Sequence, residues 1–384
     1  MKILYLGYWG VNEGLSVATI YPHLKILASF DSIQKIFYFS MEREGTTETK
    51  SFDSSKIEHF PFVTGHGLKD KWNDFTTFPK ILLDFIKEKQ IDKIIARGAP
   101  AGAIAWMVWK KNKVPFVVES FEPHADYMLE SGIWPKYDPR YLLEKYWEEQ
   151  QKKCAKNIIT VSNSYKNQLI KEGVEKSIIE VGPCCVDTLK FQFIQKQRTA
   201  IREKLKISKD AIVAIYVGKI GGIYYSAESI QLFKDFLSQS SSHFLIILTP
   251  QVEELEKELS TKKNVFIKSV AHSEVPDYLS ASDFAFSLHK PSPSKIALSP
   301  IKNGEYWANG LPVFISKGIG DDSNLIKVNN IGVIWENQNN QKALDEIVNI
   351  VVKKERLEQP NSIVELAKNT RSFSIIENVY KTIL

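Results

Sequence analysis

Apolar residues fall in short runs along this chain, and amphipathic stretches separate the runs. Residues 2–7 read KILYLG, an apolar run closed by glycine, which is the pattern of a buried strand. A turn holding Gly7, Gly10 and Gly14 follows, and LSVATIYPHLKILASF then has helical spacing, with Pro22 beginning or kinking the helix. IDKIIARG and VPFVVES predict strands on either side of the apolar segment 99–109. YLLEKYWEEQQKKCAK predicts an amphipathic helix and NIITVS another strand. SNSYKNQLIKEG predicts a helix capped by Ser162 or Ser164 and stopped by Gly173.

The pattern restarts after VGPCCVDTLKF. Residues 211–218, AIVAIYVG, repeat the opening: an apolar strand, a closing glycine, a turn with Gly221 and Gly222, then a helix. HFLIILTP, NVFIKSV, DFAFSL, LPVFIS and IGVIW supply further strands with helices between them. Alternating strands and helices imply parallel sheets. The expected fold is α/β, with two Rossmann-like domains in tandem and a seam near 187–205. The expected boundaries are 1–190, 191–365 and a terminal helix over 366–384, from SFSIIENVYKTIL.

Composition narrows the picture only at its edges. The 384 residues are 43% hydrophobic and 25% charged, ordinary for a globular chain of two domains. A net charge of +5 is small against 95 charged residues, so nucleic acid is not an expected partner, whereas weak attraction to anionic lipid or substrate is allowed. The three cysteines form no C-x-x-C, which argues against a disulfide framework or zinc site and for a reducing compartment. MKILYLGYWG lacks the apolar run of a signal peptide, and APAGAIAWMVW is about half the roughly 20 residues of a membrane span. The expected location is the cytoplasm, with room for attachment at the inner membrane face.

Candidate chemistry gathers where predicted strands end. Ligands of open parallel sheets bind beyond the carboxyl ends of the strands, where glycine turns let main-chain N–H groups approach phosphate. Gly10 and Gly14 lie in one such turn, and Gly218, Gly221 and Gly222 in the other. Neither is G-x-G-x-x-G, and a tight connection without ligand is the competing reading of each. Lys219 follows Gly218 and could neutralise a diphosphate leaving group, unless it is simply a solvated lysine. SPIKNGEYWANGLPVFIS begins at Ser299. Its Pro300 starts a helix whose first N–H groups, from Ile301, would face an anion. Glu305 could accept two hydrogen bonds from a vicinal diol such as ribose, or merely offset the helix dipole. Gly310 and Pro312 end that helix. ESFEPHADYM clusters Glu119, Glu122, His124 and Asp126. His124 could bond a sugar hydroxyl, assist proton transfer or be structural. No metal-ligand set can be assembled.

In this order the pieces resemble the GT-B glycosyltransferases, and within them the retaining family 4 group. IITVSNSYKNQLIKEGVEKSIIEVGPCCVDTLKF resembles that family's strand and helix leading to P-N-G-V-D-x-x-x-F. Pro183, Val186, Asp187 and Phe191 are kept, and Cys184 and Cys185 replace Asn-Gly. YVGKIGG resembles the Y-V-G-R turn, VAHSEVPDYLSASDFAFSL the segment lining the base pocket, and SPIKNGEYWANGLPV the P-x-K-x-x-E-x-x-A-x-G-x-P-V signature.

The resemblance implies two sheets facing a central cleft, with the last helix packing back on the N-terminal domain. It implies sugar transfer from a UDP- or GDP-type donor to a saccharide or lipid-linked acceptor with retention. No cofactor or metal is needed, and the setting is cell-surface polysaccharide assembly. Glu305 would hold the donor ribose. Lys219, Gly218, Gly221, Gly222 and the stretch Ser299, Pro300, Ile301, Lys302 and Asn303 would hold the diphosphate, mainly through main chain. Val270 would lie near the base, Gly10, Asn12, Glu13 and Gly14 near donor phosphate and acceptor, and His124 against the donor sugar. The chain departs from the pattern twice. Ala297 stands where the family often has a first glutamate, and Tyr224 where a second lysine often follows Lys219, which would leave Arg97 as a further cation. A sugar-nucleotide epimerase on the same fold and a non-catalytic nucleotide-sugar-binding subunit are the alternatives. Acceptor loops are expected around 40–80.

Overall fold

Seven parallel strands form the first sheet of the computed structural model: β1 (Lys2–Leu6), β2 (Lys35–Glu42), β3 (Ile57–Val63), β4 (Lys93–Arg97), β5 (Phe116–Phe121), β6 (Asn157–Thr160) and β7 (Ile179–Val181). Their order is β3-β2-β1-β4-β5-β6-β7. Six more form the second: β8 (Val213–Val217), β9 (Phe244–Leu248), β10 (Val265–Lys268), β11 (Phe284–Ser287), β12 (Val313–Ser316) and β13 (Gly332–Trp335), in the order β10-β9-β8-β11-β12-β13. The structure describes residues 1–43, 45, 47–353 and 362–384. Contacts divide it into two units, Met1–Pro183 with Phe373–Leu384, and Cys184–Ser372. This is the two-sheet α/β architecture expected from the alternating pattern.

Burial on both faces explains the apolar runs. Ile3, Leu4 and Tyr5 of β1 and Val213, Ala214 and Ile215 of β8 are wholly buried, as central strands of covered parallel sheets must be. The run 99–109 is the core-facing helix Ala99–Asn112, buried from Ala99 to Trp106. Gly102 lets the neighbouring helix Pro139–Cys154 come close: a Cβ would lie 2.0 Å from Oε1 of Gln151, which would have to move. No described helix is long and apolar enough to cross a membrane.

Each sheet reverses its winding once. In the first, the chain runs outward from β1 to β3 and restarts at β4 on the other side of β1. In the second, it runs from β8 to β10 and restarts at β11 beside β8. Strand ends separate at these switch points and leave crevices. Gly7 and Gly98 follow the switch-point strands of the first unit, and Gly218 and Leu288 those of the second. The terminal helix Phe373–Ile383 belongs to the first unit, where Tyr380 and Ile383 are buried. Of the stretch 40–80, positions 44 and 46 lie outside the described residues; the remainder includes β3 and the helix Leu68–Thr76.

Candidate nucleotide site and the acidic cluster of the first unit

The crevice of the second unit is built around the helix Ile301–Ala308. Pro300, at φ −60°, is its N-cap, and no side chain caps the first turn. The flanking side chains turn inward. Ser299 Oγ accepts from the Cys184 amide at 3.0 Å and from the Arg371 guanidinium. Asn303 Nδ2 donates to Asp322 Oδ2 at 2.7 Å, and Asp322 pairs with Arg371. Arg371 is only 2% exposed. Ser299 and Asn303 therefore fasten the helix to the protein, and what this turn can still offer a ligand is its main chain and the Lys302 side chain.

Gly218 follows β8 with φ +128°, and its N–H goes to Leu248 O at 2.8 Å. A Cβ there would lie 1.8 Å from Nζ of Lys302. The glycine thus makes room for an ammonium from the neighbouring helix. Lys302 Nζ sits 4.8 Å from the Tyr224 ring centre and 6.0 Å from that of Tyr216. Among the described residues it makes no hydrogen bond or ion pair. Burial pulls its pKa down to about 8, against the pull of Glu305. Tyr224 also lies against His289, ring centres 4.8 Å apart. The His289 Nδ1 is buried without a partner, and burial, with Lys302 and Lys295, takes that imidazole down to about 3. Gly221 and Gly222 have φ of +84° and +63° with open space above them. Lys219 is exposed at the same turn.

Glu305 is buried, and its Oε1 accepts from His272 Nε2 at 2.7 Å. His272 stands two residues after Val270, which is half-buried against the core. The second unit thus brings together Gly218, Lys219, the two turn glycines, Pro300 to Asn303 and Glu305. Sequence reasoning missed His272, His289 and Arg371, and the closeness of Lys302 to Tyr224. His272 lay in a segment already matched to the base pocket. Arg371 is 72 positions from Ser299, and nothing in its own neighbourhood marks it.

The first unit treats its predicted residues differently. The Gly10 amide goes to Glu13 Oε1 at 2.8 Å and the Val11 amide to Glu42 Oε1 at 2.7 Å. Two carboxylates thus already occupy amides that the glycine turn would have offered a phosphate; Asn12 and Gly14 are exposed beside them. Arg97 is 5% exposed, and its guanidinium donates to Glu119 Oε1 at 2.9 Å. That carboxylate also accepts from Tyr5 and Tyr380 and lies 3.4 Å from His23 Nδ1. Burial opposes ionisation of Glu119, but His23, Arg97 and the Tyr380 hydroxyl hold it below the usual carboxylate range. The charge of Arg97 is spent in the interior of the unit.

His124 begins the helix His124–Glu130, with Nδ1 3.3 Å from Glu122. Burial pushes its pKa down, and Glu122, Glu144 and Glu148 outweigh that and leave it raised. Burial lifts Glu144 to about 7 and Glu148 to about 8. A histidine among carboxyls that titrate near neutrality can exchange protons or bond a hydroxyl. Among the described residues no group of three or more His, Cys, Asp and Glu side chains is placed to hold a metal ion.

Two family models match the two halves of the chain. The glycosyltransferase family 4 model matches residues 36–190, and the glycosyl transferases group 1 model matches residues 197–370. Alpha-monoglucosyldiacylglycerol synthase of Acholeplasma laidlawii is 27% identical over 169 residues, 42% of each chain, so the match spans less than half of that relative's length. Sucrose-phosphate synthase of Thermosynechococcus elongatus superposes with a TM-score of 0.75 at 14% identity, covering 100% of this chain and 98% of its own. Anabaena HepE, solved in complex with UDP, gives 0.72 at 14% identity over 100% and 99%.

Proposed function

We propose that this chain, which belongs to the GT-B glycosyltransferases, moves a sugar from a nucleoside diphosphate donor to a saccharide or lipid-linked acceptor, with retention of anomeric configuration. The observation that carries the reading is the crevice of the second unit. There an uncapped helix start, two left-handed glycines, two lysines and a buried carboxylate meet at a topological switch point. Glu305 would take the ribose hydroxyls, Val270 would lie near the base, and Lys219 with the main chain of Pro300 to Asn303 would take the diphosphate. UDP is the favoured donor base, since a neighbour of this fold was solved with UDP and with UDP-glucose. A lipid-linked acceptor is favoured by the name of the curated relative.

In the reaction the bond between the anomeric carbon and the diphosphate oxygen breaks, and the acceptor oxygen forms the new glycosidic bond. The acceptor proton passes to the departing diphosphate. The protein contributes position and positive charge rather than a nucleophile. His124 would meet the donor sugar. The setting is polysaccharide or glycolipid assembly at the inner face of a membrane, without a metal.

Thermal melts with UDP, GDP, CMP and NAD, with and without magnesium, test the nucleotide step. A ligand at about 100 times its Kd adds roughly 2.7 kcal/mol. A shift with UDP or GDP alone, unaffected by magnesium, is the expected result; a shift with NAD alone overturns the reading. UDP release from UDP-glucose that depends on added acceptor then separates a transferase from an epimerase or a binding subunit, the readings that Ala297 leaves in play.

A further inference from the structure

We propose that the Lys302 side chain, lodged under Gly218 and supported by the Tyr224 ring, is a second cation for the donor diphosphate. The proposal deepens the nucleotide-sugar reading and rests on it. Lys302 is half-buried, and an ammonium drawn partly out of water is ordinarily held by a carboxylate or by carbonyl oxygens, because leaving it unpaired is costly. Lys302 has neither among the described residues; its polar surroundings are two aromatic ring faces. A ring face at 4.8 Å attracts a cation but returns only part of its lost hydration.

Three further features point the same way. Gly218 forgoes a Cβ at the place the ammonium occupies. The neighbouring His289 Nδ1 is buried and unpartnered, in a field to which Lys295 also contributes. Lys302 and Lys295 thus place positive charge around a neutral imidazole, and Glu305 is the carboxylate that acts on Lys302. Finally, Gly221 and Gly222 leave open space at the turn that carries the exposed Lys219, so a diphosphate seated there would have Lys219 as well as Lys302 within the same turn region. An anion arriving there supplies the direct partner that Lys302 lacks among the described residues.

Such a residue weakens the empty protein and strengthens the loaded one. A lysine whose folded pKa lies below its ordinary value costs stability at every pH below that folded value, and its removal returns it. Lys302→Met is therefore expected to raise the Tm of the ligand-free protein. By calorimetry with UDP and GDP it should lower affinity for the diphosphate that binds by about tenfold or more, the worth of a charged hydrogen bond. Binding of the matching nucleoside should stay within about twofold. Equal diphosphate affinity in variant and parent overturns the proposal and leaves the nucleotide reading standing. Loss of nucleoside binding along with diphosphate binding also overturns it, by making Lys302 a structural residue. A cooperatively folded parent that binds neither diphosphate removes both. The parent alone supplies a second readout, needed if the variant does not fold. Above pH 8, where the diphosphate is fully ionised, binding should take up protons as Lys302 is charged, seen as heats that differ between buffers of unlike ionisation enthalpy. Heats independent of buffer would overturn the proposal.

Discussion

Nε2 of His272 donates to Oε1 of Glu305 at 2.7 Å, joining a half-exposed imidazole to a carboxylate that is almost wholly buried. The pair occupies an acceptor that a ribose diol would need, so ribose must displace His272 or share the carboxylate with it. Glu305→Ala frees a histidine that can turn to water, and the ligand-free Tm should change little. Nucleotide affinity should fall about 10-fold to 100-fold, the cost of losing hydrogen bonds to a charged group. Calorimetry and a melt on one sample decide it; a collapse of the ligand-free Tm would make Glu305 structural.

His272→Ala is the complementary case. It strips a buried carboxylate of a donor, and should cost the ligand-free protein about 1–3 kcal/mol. Nucleotide should restore more Tm in this variant than in the parent, because ribose hydroxyls then supply the missing donors. Equal shifts in the two proteins would separate Glu305 from the ribose.

The glycine turns and the signature around Glu305 were legible because each is local. Gly218 closes an apolar run, and Pro300 and Gly310 bracket a helix, all within a few residues of what they govern. The strands β2 and β3 were harder to read. β2 is buried along nearly its whole length with no alternation, and the edge strand β3 carries His59 and Pro61 inside it. What sequence could not supply was partnership across distance. Arg97 stands at a strand end, as a site cation should, yet its partner Glu119 is on the adjoining strand and consumes its charge. Gly10 and Gly14 lie in a glycine turn at a strand end, where an anion could bind, yet Glu42, from β2, reaches the Val11 amide first.

Arg371 ties three segments to the helix start: it pairs with Asp322, donates to Ser299 and reaches the Cys184 carbonyl. Removing one partner of a buried pair leaves the other uncompensated, at about 3–5 kcal/mol. Arg371→Met should unfold the second unit at markedly lower denaturant, while Asp322→Asn, which keeps a hydrogen-bonding side chain, should cost less. Two-unit denaturation curves would show it; equal midpoints for parent and Arg371→Met would refute the assignment.

The terminal helix is fastened by a polar contact as well as by its apolar face. The Tyr380 hydroxyl donates to Glu119, and His23 Nδ1 lies 2.8 Å from it. Tyr380→Phe removes that donor from a buried carboxylate and should cost about 1–3 kcal/mol. Limited proteolysis should then cut near residue 372 sooner than in the parent, without any loss of nucleotide binding to the second unit.

Glu144 gives the first unit a pH dependence whose sign is opposite to that of a salt-bridged carboxylate. Burial raises its folded pKa from 4.5 to about 7, with His124 pulling against and Glu122 adding to the rise. Its Oε1 has no partner among the described residues, so no hydrogen bond at that atom offsets the burial of the charged form. Between those two values the folded protein holds a proton that the unfolded chain has released. Stability therefore falls as pH rises from about 4.5 to about 7 and then levels, with a loss on the order of 3 kcal/mol. Glu144→Gln keeps the shape and cannot ionise, so it should raise Tm at pH 8 and leave Tm at pH 4.5 nearly unchanged. Glu148, lifted to about 8 by burial with Glu144 contributing, should ionise more readily in that variant and carry a smaller slope of its own. Melts at half-unit steps from pH 4.5 to pH 9 test the argument, and a Tm gain of equal size at both ends would mean that packing, not titration, had changed.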